Sequence, residues 1–462
     1  MSEHRGALAL VLHSHMPYVE GFGTWPFGEE WLWEAVATVY LPLLDVLRGQ
    51  PVTVGLTPVL CDQLETLTGE GGDRFLAFLR EIRAAVHEMD SEALERSGEP
   101  VLAAELRRAA GDYERAASQF EEARDLLRAF RGLGVELWTS AATHALLPLL
   151  ATDGGRALQL HTGIASHENR FGGWSGGFWL PECGYEPGLE RDLAEYGTRC
   201  FCVDQTKSRG DHLRPVATEP GPVAVPVDWQ TVELIWGPSG YPSHGTYRDY
   251  HGRTEHDLRP WSNAGEPYDY EAALALAREH AREFVAHVGQ RLDGGGLLCC
   301  ALDTELIGHW WYEGPEFLRA VLAEAPAAGI DLVTLPDGLA GVEPVEGPLA
   351  PSTWGRNKDF STWDSPRVTG LAFEARRAEL RTLAAASSGL RGAALERAAR
   401  ELLALQSSDW AFMTTHEMAG DYPRERVDAH VAALDSALSG AARDAALRNL
   451  APQLDLSPLV AP

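Results

Sequence analysis

Gly176-Gly177-Phe178-Trp179-Leu180-Pro181-Glu182-Cys183-Gly184-Tyr185 runs an apolar strand to its end and then presents a carboxylate. Phe178, Trp179 and Leu180 form the apolar run, and Pro181 removes the amide that a continuing ladder would need. Glu182 therefore stands where strand gives way to loop. A strand-end Glu whose aromatic neighbours belong to the core would fit this stretch taken alone. Leu297-Leu298-Cys299-Cys300-Ala301-Leu302 repeats the pattern, followed at once by Asp303-Thr304-Glu305-Leu306-Ile307-Gly308-His309-Trp310-Trp311-Tyr312-Glu313-Gly314-Pro315. Two strand-end acids, each followed by aromatics, fit two strands of a β/α barrel that open into one mouth, on the rim where such folds carry their chemistry.

Outward from these two stretches, further strands are predicted at 7–12, 52–60, 135–139, 199–203, 223–236 and 331–334, with helices at 29–47, 270–292 and 315–324. This alternation predicts an α/β chain with a parallel barrel. The segment from about 73 to 131 is rich in Ala, Glu, Arg and Leu at helical spacing. It is too long for one crossover, so 70–132 is expected to be an inserted helical subdomain. The Pro- and Gly-rich stretch 342–351 reads as a linker, and 371–405 and 424–450 as helices. The expected division is a barrel over 1–345 and an all-helical C-terminal domain over 346–462. Asp293-Gly294-Gly295-Gly296 precedes a strand, so it is a turn and not a dinucleotide loop.

The formal net charge of −28 over 462 residues argues against nucleic acid or an anionic membrane as partner. A neutral polymer remains compatible, and 14 Trp residues favour a sugar polymer. Lys occurs only at Lys207 and Lys358. The apolar run 7–12 is too short for a signal-peptide core or a membrane span, and no other stretch approaches spanning length. The six Cys residues, at 61, 183, 200, 202, 299 and 300, make neither a zinc nor a disulfide framework. They read as buried thiols of a cytoplasmic protein. Flat aromatic faces beside a pair of carboxylates suit glycoside cleavage, which needs the two acids about 5 Å apart for retention and further apart for inversion.

Several pieces resemble glycoside hydrolase family 57, and within it the α-1,4-glucan branching enzymes. They are His13-Ser14-His15-Met16-Pro17-Tyr18, Trp25-Pro26-Phe27-Gly28-Glu29-Glu30-Trp31, Thr139-Ser140-Ala141-Ala142-Thr143-His144, residues 178–185, residues 303–315 and Ser408-Asp409-Trp410. The resemblance implies an incomplete (β/α)7 barrel with an inserted helical part and a C-terminal helical domain closing over the cleft. It implies Glu182 as nucleophile and Asp303 as general acid/base, the two functions that glycoside chemistry requires. His13, His15, Trp25, His144, Trp354, Trp363, Asp409 and Trp410 are implied as substrate-binding residues, and Tyr241 as a loop residue that favours transfer over hydrolysis.

The implied partners are an α-1,4-glucan donor and acceptor, with the chain a monomer or small homo-oligomer. No metal and no cofactor is expected. A His-x-His at a first barrel strand also marks metal-dependent hydrolases, but those need more His ligands and often a bridging Lys, which Lys207 and Lys358 suit poorly. A retaining 4-α-glucanotransferase or α-amylase is the nearest alternative, and a non-catalytic glucan-binding protein a further one. Two features depart from the family pattern: Val227 stands where an Arg commonly precedes Asp228, and the segment 253–265 is short.

Overall fold

The computed structural model describes residues 6–24, 27–219 and 221–460. Nine strands are present: β1 (Ala7–Ser14), β2 (Thr53–Leu56), β3 (Glu136–Ser140), β4 (Gly177–Trp179), β5 (Cys200–Val203), β6 (Val216–Ala217), β7 (Val223–Pro226), β8 (Leu297–Asp303) and β9 (Asp331–Val333). Their order is β6-β7-β5-β4-β3-β2-β1-β8, with β9 also alongside β1. Every pairing is parallel except that of β6 with β7. A single parallel bridge, Val227 to Cys299, sets β7 against β8. Seven of the eight parallel strands, all but β9, thus follow one another round a barrel whose last seam is almost unpaired, the incomplete (β/α)7 architecture.

β1 and β8 are near-continuous apolar runs because helices or neighbouring strands cover both faces. Their register places His13 opposite Asp303. On the far side of β1, Ser14 lies opposite Leu56, and further round Ser140 lies opposite Trp179. The chemistry-bearing ends of these strands therefore share one rim.

Two predicted strands are shorter than expected. β2 stops at Leu56 because Pro58 opens the helix Pro58–Thr66, and the apolar residues beyond it follow helical spacing. β7 stops at Pro226, and Trp229–Trp236 is a helix that buries Val232 and Ile235. The predicted helix 424–450 is instead Tyr422–Leu438. Gly440 at φ 77° turns the chain out of it, and the irregular stretch beyond brings the Ala451 N–H to Asp62.

Helices from Glu70 to Arg131 contribute Phe75, Phe78, Phe120 and Phe130 to the same core as the barrel. The helices Thr369–Ser387, Ala393–Leu405, Asp409–His416 and Tyr422–Leu438 gather a second core around Leu395, Leu402, Trp410 and Leu434. Among the described residues no helix is long and apolar enough to cross a membrane. All six cysteines are buried free thiols.

Candidate active site

The turn after β4 places Glu182 in the left-handed region, φ 58° and ψ 24°. Cys183, at φ 48°, and His144, at φ 58°, share that unusual backbone. Non-glycine residues held there cost on the order of 1–3 kcal/mol each and persist only where surrounding contacts over-determine them. For Glu182 those contacts are visible. Its carbonyl accepts the Trp354 N–H at 2.8 Å, and its Oε1 accepts the Ser408 hydroxyl at 3.3 Å.

A stack of three imidazoles lies beside it. His15 and His144 rings are 4.0 Å apart, and His13 lies 4.5 Å from Trp179, nearly parallel to it. His144 Nδ1 meets Ser408 Oγ at 2.9 Å, and its Nε2 meets His13 Nε2 at 3.0 Å. Burial holds both His13 and His144 well below the ordinary imidazole range, with neighbouring histidines adding to the effect, so both rings are neutral. His15 Nε2 contacts both carboxylate oxygens of Asp409, at 3.0 and 3.1 Å. Burial would raise Asp409, but the His15 contact and hydrogen bonds outweigh it and hold that carboxyl below its usual range.

Asp303 ends β8 across the rim. Burial pushes it up to about 7, with His15 pulling the other way. Burial also raises Glu182, followed by the charges of Asp303 and Asp409, while the Ser408 hydroxyl opposes the rise. Two buried carboxyls that each disfavour a second negative charge titrate as a pair holding one proton. The Ser408 hydroxyl on Glu182 Oε1 favours the anion there. The arrangement thus sets two buried carboxyls, both raised by their surroundings, at the ends of barrel strands on one rim.

The other expected residues are distributed unevenly. Trp25 lies outside the described residues. Trp354 packs edge-on against Trp179 at 5.0 Å, directly beside Glu182. Trp363 and Trp410 present no open ring face, being 3% and 1% exposed. Trp363 Nε1 donates to the Ser408 carbonyl and Trp410 Nε1 to that of Ala404, so both steady the chain around Ser408 and Asp409. Tyr241 stacks on His280 at 4.4 Å and approaches Phe317 at 5.8 Å, so its partners are barrel helices rather than Glu182 or Asp303.

Sequence reasoning passed over Glu305, two residues beyond Asp303. It accepts the His15 N–H at 3.1 Å and the Tyr40 hydroxyl, and burial pushes it up to about 8. The acid-x-acid spacing was a usable signal for it; Tyr40, on a distant helix, gave none. The missing Arg beside Asp228 is supplied from elsewhere: Arg291 Nη2 lies 2.6 Å from Asp228 Oδ1. Among the described residues no group of three or more His, Cys, Asp or Glu is placed to hold a metal ion.

The sequence pattern of glycosyl hydrolase family 57 matches residues 9–225, and that of the C-terminal region of 1,4-alpha-glucan branching enzymes matches 372–454. A probable 1,4-alpha-glucan branching enzyme from Mycobacterium tuberculosis is 35% identical, over 96% of this chain and 94% of that protein. The chain belongs to glycosyl hydrolase family 57. Another relative, a 1,4-alpha-glucan branching enzyme from Thermococcus kodakarensis, is 32% identical over 92% of this chain and 72% of its own length. Among solved structures, the family 57 branching enzyme from Pyrococcus horikoshii superposes with a TM-score of 0.91 at 31% identity, covering 99% of this chain and 97% of that one. The family 57 likeness therefore spans barrel, insertion and C-terminal helices together.

Proposed function

We propose that this protein is a 1,4-α-glucan branching enzyme. It cleaves an α-1,4 bond with retention and passes the glucan segment to a 6-hydroxyl, creating an α-1,6 branch. The observation that carries the reading is the pair Glu182 and Asp303, two buried carboxyls that follow β4 and end β8 on one rim. Whole-length likeness to proteins named as branching enzymes supports the choice of reaction.

In this reading Glu182 attacks the anomeric carbon while Asp303 protonates the departing glycosidic oxygen. The ionised Asp303 then takes the proton from the acceptor 6-hydroxyl as that oxygen displaces Glu182. His15, His144, Asp409 and Trp354 border the glucose bound there. His13 supports His144 from below, and Trp363 and Trp410 hold the segment that carries Ser408. The same reading divides the chain into a barrel unit, 1–345, including the helical insertion 70–132, and a helical unit, 346–462. The second core, built mostly from the C-terminal helices and joined by Tyr18, Val59, Ala142 and Leu158 of the barrel unit, supports that division. Donor and acceptor are α-1,4-glucans. The chain acts in the cytoplasm as a monomer or small homo-oligomer, a placement supported by its buried thiols.

The direct test is incubation with amylose, then digestion with a debranching enzyme and sizing of the released chains. New short chains that appear only after debranching support branching. Chains redistributed without that dependence, or reducing ends alone, replace it with a 4-α-glucanotransferase or an amylase. The docking of Tyr241 on His280 favours keeping that second reading in view, since a glycosyl-enzyme needs water excluded for transfer to win. With its ring docked on His280, Tyr241→Ala is expected to leave the ratio of branches to reducing ends unchanged. A shift from branches to reducing ends in that variant restores Tyr241 to the water-excluding role.

The protonation of Asp303 also sets a pH profile. Its carboxyl, raised from 3.8 to about 7, is the acid form below that pH and is lost above it. Above about pH 7, kcat/KM on amylose should fall by roughly tenfold per pH unit. Between about pH 4 and 7 the folded chain keeps a proton that the unfolded chain has released, so this group lowers stability as pH rises through that window. A rate that is flat across pH 6–9 contradicts the proton-donor role.

A further inference from the structure

Of the 39 basic residues in the chain, only Lys207 and Lys358 are lysines, and both lie on one junction. Lys358 Nζ sits 2.7 Å from Asp204 Oδ2 and 3.1 Å from the centroid of the Trp229 ring. Asp204, 1% exposed at the end of β5, also accepts the Trp229 indole N–H at 2.5 Å. One carboxylate thus holds both the ammonium and the ring face beneath it. Lys207 Nζ donates to the Asn357 carbonyl from the opposite side of the junction.

These contacts fasten a strap, residues 350–359, to the barrel rim. Gln205 donates to the Ala350 carbonyl at 2.9 Å and to Ser352 Oγ at 3.0 Å. Ser352 and Tyr185 exchange both backbone hydrogen bonds at 2.9 Å, and the Trp354 N–H reaches the Glu182 carbonyl. The strap therefore grips the turn that holds Glu182 in its left-handed conformation from both flanks, at Glu182 and at Tyr185. Lys358 to Asp204 is its only ion pair with the barrel among the described residues. Lys358 is itself at φ 56°, a conformation that the junction must sustain.

We infer that Lys358 is a positioning residue for Glu182: clamped between Asp204 and Trp229, it tensions the strap that fixes the strand-end turn of the nucleophile. The inference rests on the assignment of Glu182 made above. The compact ammonium lies over the indole face while meeting one carboxylate oxygen as a point charge, a geometry a bidentate guanidinium does not reproduce.

The experiment compares Lys358→Met in two backgrounds, with a 4-nitrophenyl α-maltooligosaccharide as substrate. With Glu182 present, kcat should fall by roughly tenfold or more while KM stays within about twofold, and Lys358→Arg should not restore it. In Glu182→Ala with azide as external nucleophile, Lys358→Met should cost nothing further, because no nucleophile remains to be positioned. Equal losses in the two backgrounds, or a raised KM with unchanged kcat, overturn the inference while leaving Glu182 in place. Absence of azide rescue in Glu182→Ala overturns the nucleophile assignment, and the inference falls with it. If Lys358→Met does not fold, Lys358→Gln carries the same comparison, with the thermal midpoint as the measure of fold.

Discussion

Glu182→Gln should abolish turnover of α-1,4-glucan, by about 10⁴-fold or more, while the thermal unfolding midpoint stays near that of the parent chain. The amide keeps the shape of the carboxyl but cannot form the glycosyl ester. Glu182 is bordered by Ser408 and His144, and its backbone bond to Trp354 uses the main chain alone, so the substitution removes charge without removing the turn's supports. Replacing the acid by an amide also relieves the buried pair of a carboxyl pushed up by its surroundings, so stability should hold or rise slightly. Assay on amylose with melting curves in parallel checks both halves. Residual activity within about tenfold of the parent would remove Glu182 from the role of nucleophile.

Asp303→Asn should lower activity on amylose by about 10²- to 10⁴-fold, the range expected for a lost general acid. The loss should be much smaller for the glycosylation step on an aryl glycoside whose leaving group needs no proton. The alkaline fall above about pH 7 should vanish with the carboxyl responsible for it. Pre-steady-state release of the aryl group separates the two steps. Equal losses on both substrates would make Asp303 a residue that orients the sugar and not one that gives it a proton.

Much of this site could be read in the sequence because it is written at strand ends. Glu182, Asp303, His13, His15 and His144 each follow an apolar run by no more than a few residues, so the barrel rule alone gathers them on one rim. The helical insertion and the helical C-terminal region followed from the switch between periods, whereas the seven-strand barrel was implied by the resemblance to the family. The errors arose where a strand runs into a helix across a very short break. At 52–60 Thr57-Pro58 marks the change, and at 223–236 Pro226 and Asp228 do, with apolar residues resuming at once on the helix. β6, two residues long, leaves no periodic trace. Trp363 and Trp410 look like sugar platforms by residue type, yet their indole N–H groups are spent on backbone carbonyls, a fact set by tertiary packing. The replacement of the missing arginine by Arg291, 63 positions from Asp228, is likewise invisible to any local reading.

Ser407, Ser408 and Asp409 reach the rim from far along the chain: Ser408 lies 226 residues beyond Glu182, and Asp409 lies 394 beyond His15. A ribosome that has finished every barrel strand has therefore made the two carboxyls but none of the hydroxyl or aspartate groups that tune them. In that half-built chain Glu182 lacks the Ser408 hydroxyl and His15 lacks the Asp409 carboxylate. A substitution at the buried start of the helix Asp409–His416 therefore changes the surroundings of the pair without touching the strands that hold the acids.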